Sequence, residues 1–263
     1  MFKEQLRMRD GFISMAALCV GVLTLLSLGV SRAAADPTSA AFVQKAYLDL
    51  MLRPATSSDI STWTALLDSA SLTHTQFALD VMNSDEYRHV RVKEFFGDFL
   101  SRAPDSLELS SLTTFLQSNP LPQGRATILG SAEYFSSQGG SSNAGFLGAL
   151  YLDLLGRAID APTSAFFQGQ ISGGATRFDV AMAVQGGDEW RGDIVGEYYQ
   201  QFLHRAPDSN GLNVFKGVLS GGGSEQDVIA AILGSEEYLQ GVPEPAAIWL
   251  LAVGMMGVGR RRS

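Results

Sequence analysis

Cysteine and histidine are nearly missing from this chain. Its 263 residues hold one cysteine, Cys19, and three histidines, His74, His89 and His204, no two at metal-ligand spacing. Cys19 lies inside an N-terminal apolar run and follows Leu18 rather than a small residue, so it is not a lipoprotein acceptor. If that run is removed on export, disulfides, thiolate zinc sites and cysteine nucleophiles are excluded together. Charge is sparse at 17%, and bases are sparser than acids: between Asp36 and Pro243 there are 12 Lys and Arg against 24 Asp and Glu. So acidic a body disfavours nucleic-acid phosphate. No segment sustains two-residue alternation, which excludes an extensive sheet, and no G-x-S-x-G nucleophile elbow occurs. What is abundant is apolar surface, 46% of residues, enough for a true core.

The two ends differ from the middle. Lys3, Arg7 and Arg9 precede an almost uninterrupted apolar stretch over residues 13–30, and Ala33-Ala34-Ala35 then supplies an A-x-A site. That order reads as a signal peptide over residues 1–35, with Asp36 the first mature residue and the secretion machinery as partner. An uncleaved N-terminal anchor is the alternative, and the small-residue site favours cleavage. At the other end, Val242-Pro243-Glu244-Pro245 stops the preceding helix, because proline lacks an amide donor and restricts its predecessor. Residues 246–259 are apolar and uncharged, and Arg260, Arg261 and Arg262 form a stop-transfer cluster on the cytoplasmic side. Fourteen residues cover about 21 Å of the roughly 30 Å hydrocarbon core, so this apolar helix suits a temporary hold in the inner membrane. Residues 242–263 resemble the PEP-CTERM sorting signal of exopolysaccharide-producing bacteria. The resemblance implies an exosortase-like processing protease that cuts near Pro243-Glu244-Pro245, then release to the cell surface or extracellular space.

Between the ends the sequence repeats. A short apolar helix ending in arginine occurs four times, closing on Arg53, Arg102, Arg157 and Arg205. Each unit ends in Ser or Gly, an acidic stretch and an aromatic: Ser84-Asp85-Glu86-Tyr87, Ser131-Ala132-Glu133-Tyr134, Gly187-Asp188-Glu189-Trp190 and Ser235-Glu236-Glu237-Tyr238. Arg53 to Arg157 and Tyr134 to Tyr238 are 104 residues apart; Arg102 to Arg205 and Tyr87 to Trp190 are 103 apart. The expected fold is therefore all-α, with tandem helical repeats as four units in two halves of about 100 residues. The halves are 36–140 and 141–241, divided at the Gly- and Ser-rich stretch 136–145, and a signal helix and an apolar tail helix flank them. Each unit is expected to contain three helices and a short fourth turn, since apolar residues recur at helical spacing. Gly173-Gly174 and Gly221-Gly222-Gly223 separate second from third helices. Tyr-Leu-Asp-Leu-Leu-Gly-Arg-Ala (151–158), His-Arg-Ala-Pro-Asp-Ser-Asn-Gly-Leu (204–212) and Gly-Ser-Glu-Glu-Tyr (234–238) resemble a bacterial helical domain of unknown function, numbered 4214, found in secreted surface-layer-like and haemolysin-like proteins. The first unit departs most: Pro54 follows Arg53 directly and the acid is delayed to Asp59.

Candidate ligand residues cluster at the turn after each arginine. Asp105, Asp160 and Asp208 follow at short distance, and Asp208-Ser209-Asn210-Gly211 could wrap calcium, although the third oxygen ligand and closing glutamate of an EF loop are out of register. Helix capping is the favoured reading of Asp208 and Ser209. The four arginines could bind an anionic sugar or carboxylate; the favoured alternative is bonding to last-turn carbonyls or to a neighbouring repeat's acid. The adjacent acids Asp188-Glu189 and Glu236-Glu237 read as solvated helix starts, and the recurring aromatics as packing. No catalytic residue, metal or cofactor is assigned. The expectation is a non-enzymatic structural or partner-binding protein of the cell surface or biofilm matrix, touching exopolysaccharide or other surface proteins. A secreted enzyme or accessory subunit acting on exopolysaccharide is the first alternative, and a calcium-dependent adhesive module the second.

Overall fold

The computed structural model describes residues 38–242. The signal segment with Ala33, Ala35 and Asp36, the processing residues Pro243, Glu244 and Pro245, the apolar stretch 246–259 and the arginines 260–262 lie outside the described residues.

Every element among the described residues is helical. The first unit supplies α1 (Ser39–Met51), α2 (Ser57–Asp68) and α3 (His74–Met82). The second supplies α4 (Asp85–Leu100), α5 (Ser106–Leu116), α6 (Leu121–Leu129) and α7 (Ala132–Ser137). The third supplies α8 (Asn143–Leu155), α9 (Ala161–Ser172) and α10 (Arg177–Gln185). The fourth supplies α11 (Asp188–Leu203), α12 (Ser209–Ser220), α13 (Glu225–Leu233) and α14 (Glu236–Gln240). Local chemistry fixes most starts. Thr56, Thr73, Asp105, Thr176 and Ser224 each form a capping box with an acid or glutamine three residues on, satisfying amide donors that a helix start leaves orphaned.

The expected separate fourth turn is present only in the second and fourth units. After Tyr87 and after Trp190 no proline or glycine pair intervenes, so the closing turn runs straight into the next unit's first helix, giving the 16-residue α4 and α11. After Tyr134 the run Gln138-Gly139-Gly140-Ser141-Ser142 interrupts, and α7 stays separate from α8.

The units close into a ring. α3 packs on α13, and α6 packs on α10. Adding 103 or 104 to the residues of α3 gives α10, and adding 104 to those of α6 gives α13, so these two contacts exchange under one pseudo-twofold axis. The same axis relates two long-range hydrogen bonds: Tyr134 Oη donates to Asp153 Oδ2 and Tyr238 Oη donates to Asp49 Oδ2, both at 2.7 Å. This is the self-complementary geometry of a symmetric dimer, built within one chain. The core runs through both halves as one cluster, from Ala41 to Val242, and includes the fully buried Phe42, Tyr87, Tyr134, Phe146 and Tyr238. Because Tyr238 also meets the ring of Phe42 at 6.1 Å, α14 seats against α1 and the described chain ends beside its own start.

Each first helix ends on a left-handed residue immediately before the arginine: Leu52 (φ 54°), Ser101 (φ 52°), Gly156 (φ 61°) and His204 (φ 55°). This conformation reverses the chain so that the arginine points back over its own helix. Three of the four positions are not glycine and therefore carry Cβ strain of about 1–2 kcal/mol each. Leu52 is 62% exposed and has little packing to lose. Leu52→Gly is expected to stabilise the protein by about 1 kcal/mol, a rise of about 2–4 °C in thermal midpoint. Gly156→Leu should lower it comparably, both read by circular dichroism melts.

Candidate functional site

The arginines flagged in the sequence form four clamps of the same build. Each lies across an aromatic ring six residues earlier: Arg53 over Tyr47 at 5.1 Å, Arg102 over Phe96 at 4.8 Å, Arg157 over Tyr151 at 5.3 Å and Arg205 over Tyr199 at 5.1 Å. Each donates through Nη1 to the next carbonyl, at 2.9–3.2 Å. Each also grips, through Nε and Nη2, both oxygens of a glutamate 31–33 residues on: Glu86, Glu133, Glu189 and Glu237. The glutamate belongs to the closer of the arginine's own unit. The expectation of a neighbouring repeat's acid is thereby corrected, as is that of merely solvated closing acids. Stacking and helix-start geometry bring these groups together within one unit, and the fork needed for anion binding is already filled.

The acids after the arginines cap helices. Asp105 Oδ1 accepts from Leu107 N and Glu108 N at 2.8 Å. Asp160 accepts from Thr163 N at 2.9 Å, and Asp208 from Asn210 N and Gly211 N at 3.0 and 2.9 Å. Asn210 thus contributes an amide to the cap. In the first unit Thr56 replaces the missing aspartate as cap, and Asp59 sits in the first turn, where Arg53 Nη1 reaches it at 3.0 Å. The departure noted in sequence therefore preserves the clamp. Among the described residues no group of three or more His, Cys, Asp or Glu is placed to hold a metal.

A second constellation escaped the sequence reading. A cleft of about 460 Å³ opens between α4 and α11, the two helices that the pseudo-twofold exchanges. Phe95, Phe99, Trp190 and Tyr198 supply apolar lining, and Arg91, Glu94, Asp98, Glu197, Arg125 and Glu225 the charges. Two of those acids are paired: Glu94 takes Arg91 Nη2 at 2.8 Å, and buried Glu225 takes Arg125 Nη2 at 2.8 Å, Arg125 Nη1 at 3.1 Å and Tyr198 Oη at 2.8 Å. Gln185 completes the buried network by accepting from Arg125 Nη1 at 2.6 Å. Asp98 and Glu197 make no hydrogen bond or ion pair among the described residues. Both are exposed and line the cleft. Desolvation raises the pKa values of Glu94, Asp98 and Glu197 above the ordinary carboxylate range. The residues come from positions 91–225, which is why no linear motif announced them.

The comparisons with known proteins follow this division. Residues 241–263 match the PEP-CTERM protein-sorting motif. Two stretches of the body, 125–194 and 191–242, match the Domain of unknown function (DUF4214). No curated protein and no solved structure matches the chain. The PEP-CTERM motif marks the chain for processing by exosortase at the membrane and delivery to the surface or the extracellular space. It begins as the body ends: Val242 is buried, with its amide donating to Leu239 O at 3.1 Å. Among the described residues no helix is long and apolar enough to cross a membrane. The second DUF4214 match spans the clamp of Arg205 with Glu237, and the first spans that of Arg157 with Glu189, so the clamp is part of what the matched stretches contain.

The buried network breaks the pseudo-twofold: Arg125, Glu225 and Tyr198 have Ile229, Leu121 and Phe95 at the equivalent positions of the other half. Glu225→Gln, which strands a buried guanidinium, is expected to destabilise by about 3–5 kcal/mol in urea titrations. Copying the apolar mates, as Arg125→Ile with Glu225→Leu and Tyr198→Phe, should recover most of that loss.

Acid should act in two directions. Glu108, bonded by Arg102 and the Asp105 amide, has its pKa lowered to about 2. Asp59, although burial opposes it, is held at about 2 by Thr56 and Arg53. The stability these groups contribute is fully present above an unfolded value of about 4 and is lost as pH falls towards 2. Glu197, raised by desolvation, has the opposite sign, so Glu197→Gln should raise the thermal midpoint at pH 7. That gain should vanish at pH values where Glu197 is protonated in the wild type.

Proposed function

We propose that this chain is exported by the secretion machinery, held in the inner membrane by residues 242–263, and cut near Val242–Pro245 by an exosortase-like protease. Its four-unit helical body then serves at the cell surface or in the extracellular matrix, in structure or in partner binding, without catalysing a reaction. The observation that carries this reading is where the body stops. Thr38 caps α1 only two residues after the proposed mature start at Asp36, and the packed core ends at Val242, one residue before the Pro-Glu-Pro motif. Both proposed cuts therefore fall outside the folded body and cost it no core contact. With α14 seated against α1, the membrane-directed ends leave from the same edge of the ring.

Mass spectrometry of the surface fraction tests the proposal. The expected protein starts at Asp36 and ends between Val242 and Pro245; an intact tail through Ser263 would overturn processing. Pro243→Ala with Pro245→Ala should retain the chain in the inner membrane.

A second reading rests on the cleft. Glu94 and Glu197 are pseudo-twofold mates on its two sides and both are raised in pKa, as a proton-donating carboxyl in sugar hydrolysis must be. Release of reducing ends from exopolysaccharide by the purified protein, abolished by Glu94→Gln or Glu197→Gln, would favour an enzyme. Polysaccharide retention without release favours the binding body.

A further inference from the structure

The junction between the two halves differs from the other covalent junctions. Tyr87 to Arg102 and Trp190 to Arg205 are 15 residues apart and run as one helix, whereas Tyr134 to Arg157 spans 23 residues and folds back. The fold-back depends on unusual backbone. Gly140 (φ 54°) and Ser141 (φ 57°) are consecutive left-handed residues, and the serine carries Cβ strain there. Gly139 and Gly145 pass so close that a Cβ on Gly145 would lie 2.2 Å from the Gly139 carbonyl oxygen, and one on Gly139 would lie 2.9 Å from Phe146 Cα. The contacts the junction holds together, by contrast, join first half to second half: α3 with α13, α6 with α10 and the two Tyr–Asp bonds in twofold-related pairs, and Arg125 with Glu225 as a single ion pair. Those surfaces fit the other half equally well whether it belongs to the same chain or to a second copy. Connectivity alone selects the closed form, through the high effective concentration of tethered partners.

We propose that residues 138–142 are the hinge of a domain exchange, in which two copies of this chain open and pair the first half of one with the second half of the other. Short strained hinges favour such exchange, and it creates no new interface, since every half–half contact is reused between chains. A surface protein accumulating at high local density would thereby gain a link between copies.

The test uses the full chain in detergent, with Cys19→Ser and an engineered pair, Thr75→Cys and Gly234→Cys, across the half–half seam. A Cβ on Gly234 would lie 2.1 Å from Thr75 Oγ1, close enough for a link after small adjustment. In the closed monomer oxidation joins the two cysteines within one chain; in the exchanged dimer it joins two chains, visible on a non-reducing gel. Gly145→Ala, which blocks the fold-back, should raise the ratio of linked dimer to linked monomer by about tenfold, equivalent to about 1.4 kcal/mol. Gly148→Ala, on the same helix with open space around its Cβ, should leave the ratio unchanged. A link that stays within one chain in Gly145→Ala overturns the proposal, as does an equal rise in both variants. If Gly145→Ala fails to fold, deletion of residues 139–142 decides: a linked dimer supports the hinge, and a linked monomer or a chain that neither folds nor links overturns it.

Discussion

The contact on which the rest of the body depends is the bidentate grip of an arginine on a glutamate about thirty residues away. A single helix of 11–16 residues has little stability alone and needs tertiary contact. The clamp supplies a non-local tie within each unit: it fastens the end of the first helix to the helix start that closes the same unit, with the second and third helices between the two points. Its strength owes as much to placement as to charge. Stacking on Tyr47, Phe96, Tyr151 or Tyr199 orients the guanidinium, and the neighbouring carbonyl takes Nη1, leaving Nε and Nη2 aimed at one carboxylate. The left-handed residue before each arginine makes this aim possible, and the protein tolerates strain at Leu52, Ser101 and His204 for it.

From units so fastened, the pseudo-twofold builds one body. The axis passes between α4 and α11, and the duplicated chain has used its two equivalent positions differently. At one set of twofold-related positions stand Ile229, Leu121 and Phe95; at the equivalent set, Arg125, Glu225 and Tyr198 form a buried, hydrogen-bonded group. An ion pair of that kind contributes little net stability over an apolar substitute, but it penalises arrangements that leave either member unpaired. Pairing of a half with its own duplicate would do that, whereas pairing with the other half would not. The same axis leaves the cleft in which Asp98 and Glu197 make no hydrogen bond or ion pair among the described residues, and desolvation there disfavours their charged forms.

The PEP-CTERM motif and the fold fit together at the ends of the body. Val242 closes the core, Pro243 cannot extend the helix, and Thr38 caps α1 nearby. The packed body thus ends where the sorting motif begins, and the 138–142 junction is the pseudo-twofold mate of the edge where α14 meets α1.

The sequence alone determined the helical class, the 103–104-residue recurrence, the cap at Asp208 and the sorting tail. All of these are local: they follow from which residues sit within one turn or one short motif of each other, and composition and spacing record that directly. The repeating arginines are legible too, but their partners are not, because the glutamates lie 31–33 residues on, at the far end of the same unit, where acids at a helix start look merely solvated. Only the tertiary structure decided that the repeats close into a ring rather than extend, that α7 and α14 stand apart while the closing turns of the first and third units fuse into α4 and α11, and that Glu94, Asp98, Glu197 and Arg125 share one cleft. Those outcomes depend on pairing between residues up to 189 positions apart, such as Tyr238 with Asp49. No pattern along the chain encodes which apolar face meets which; packing of the duplicated halves settles it.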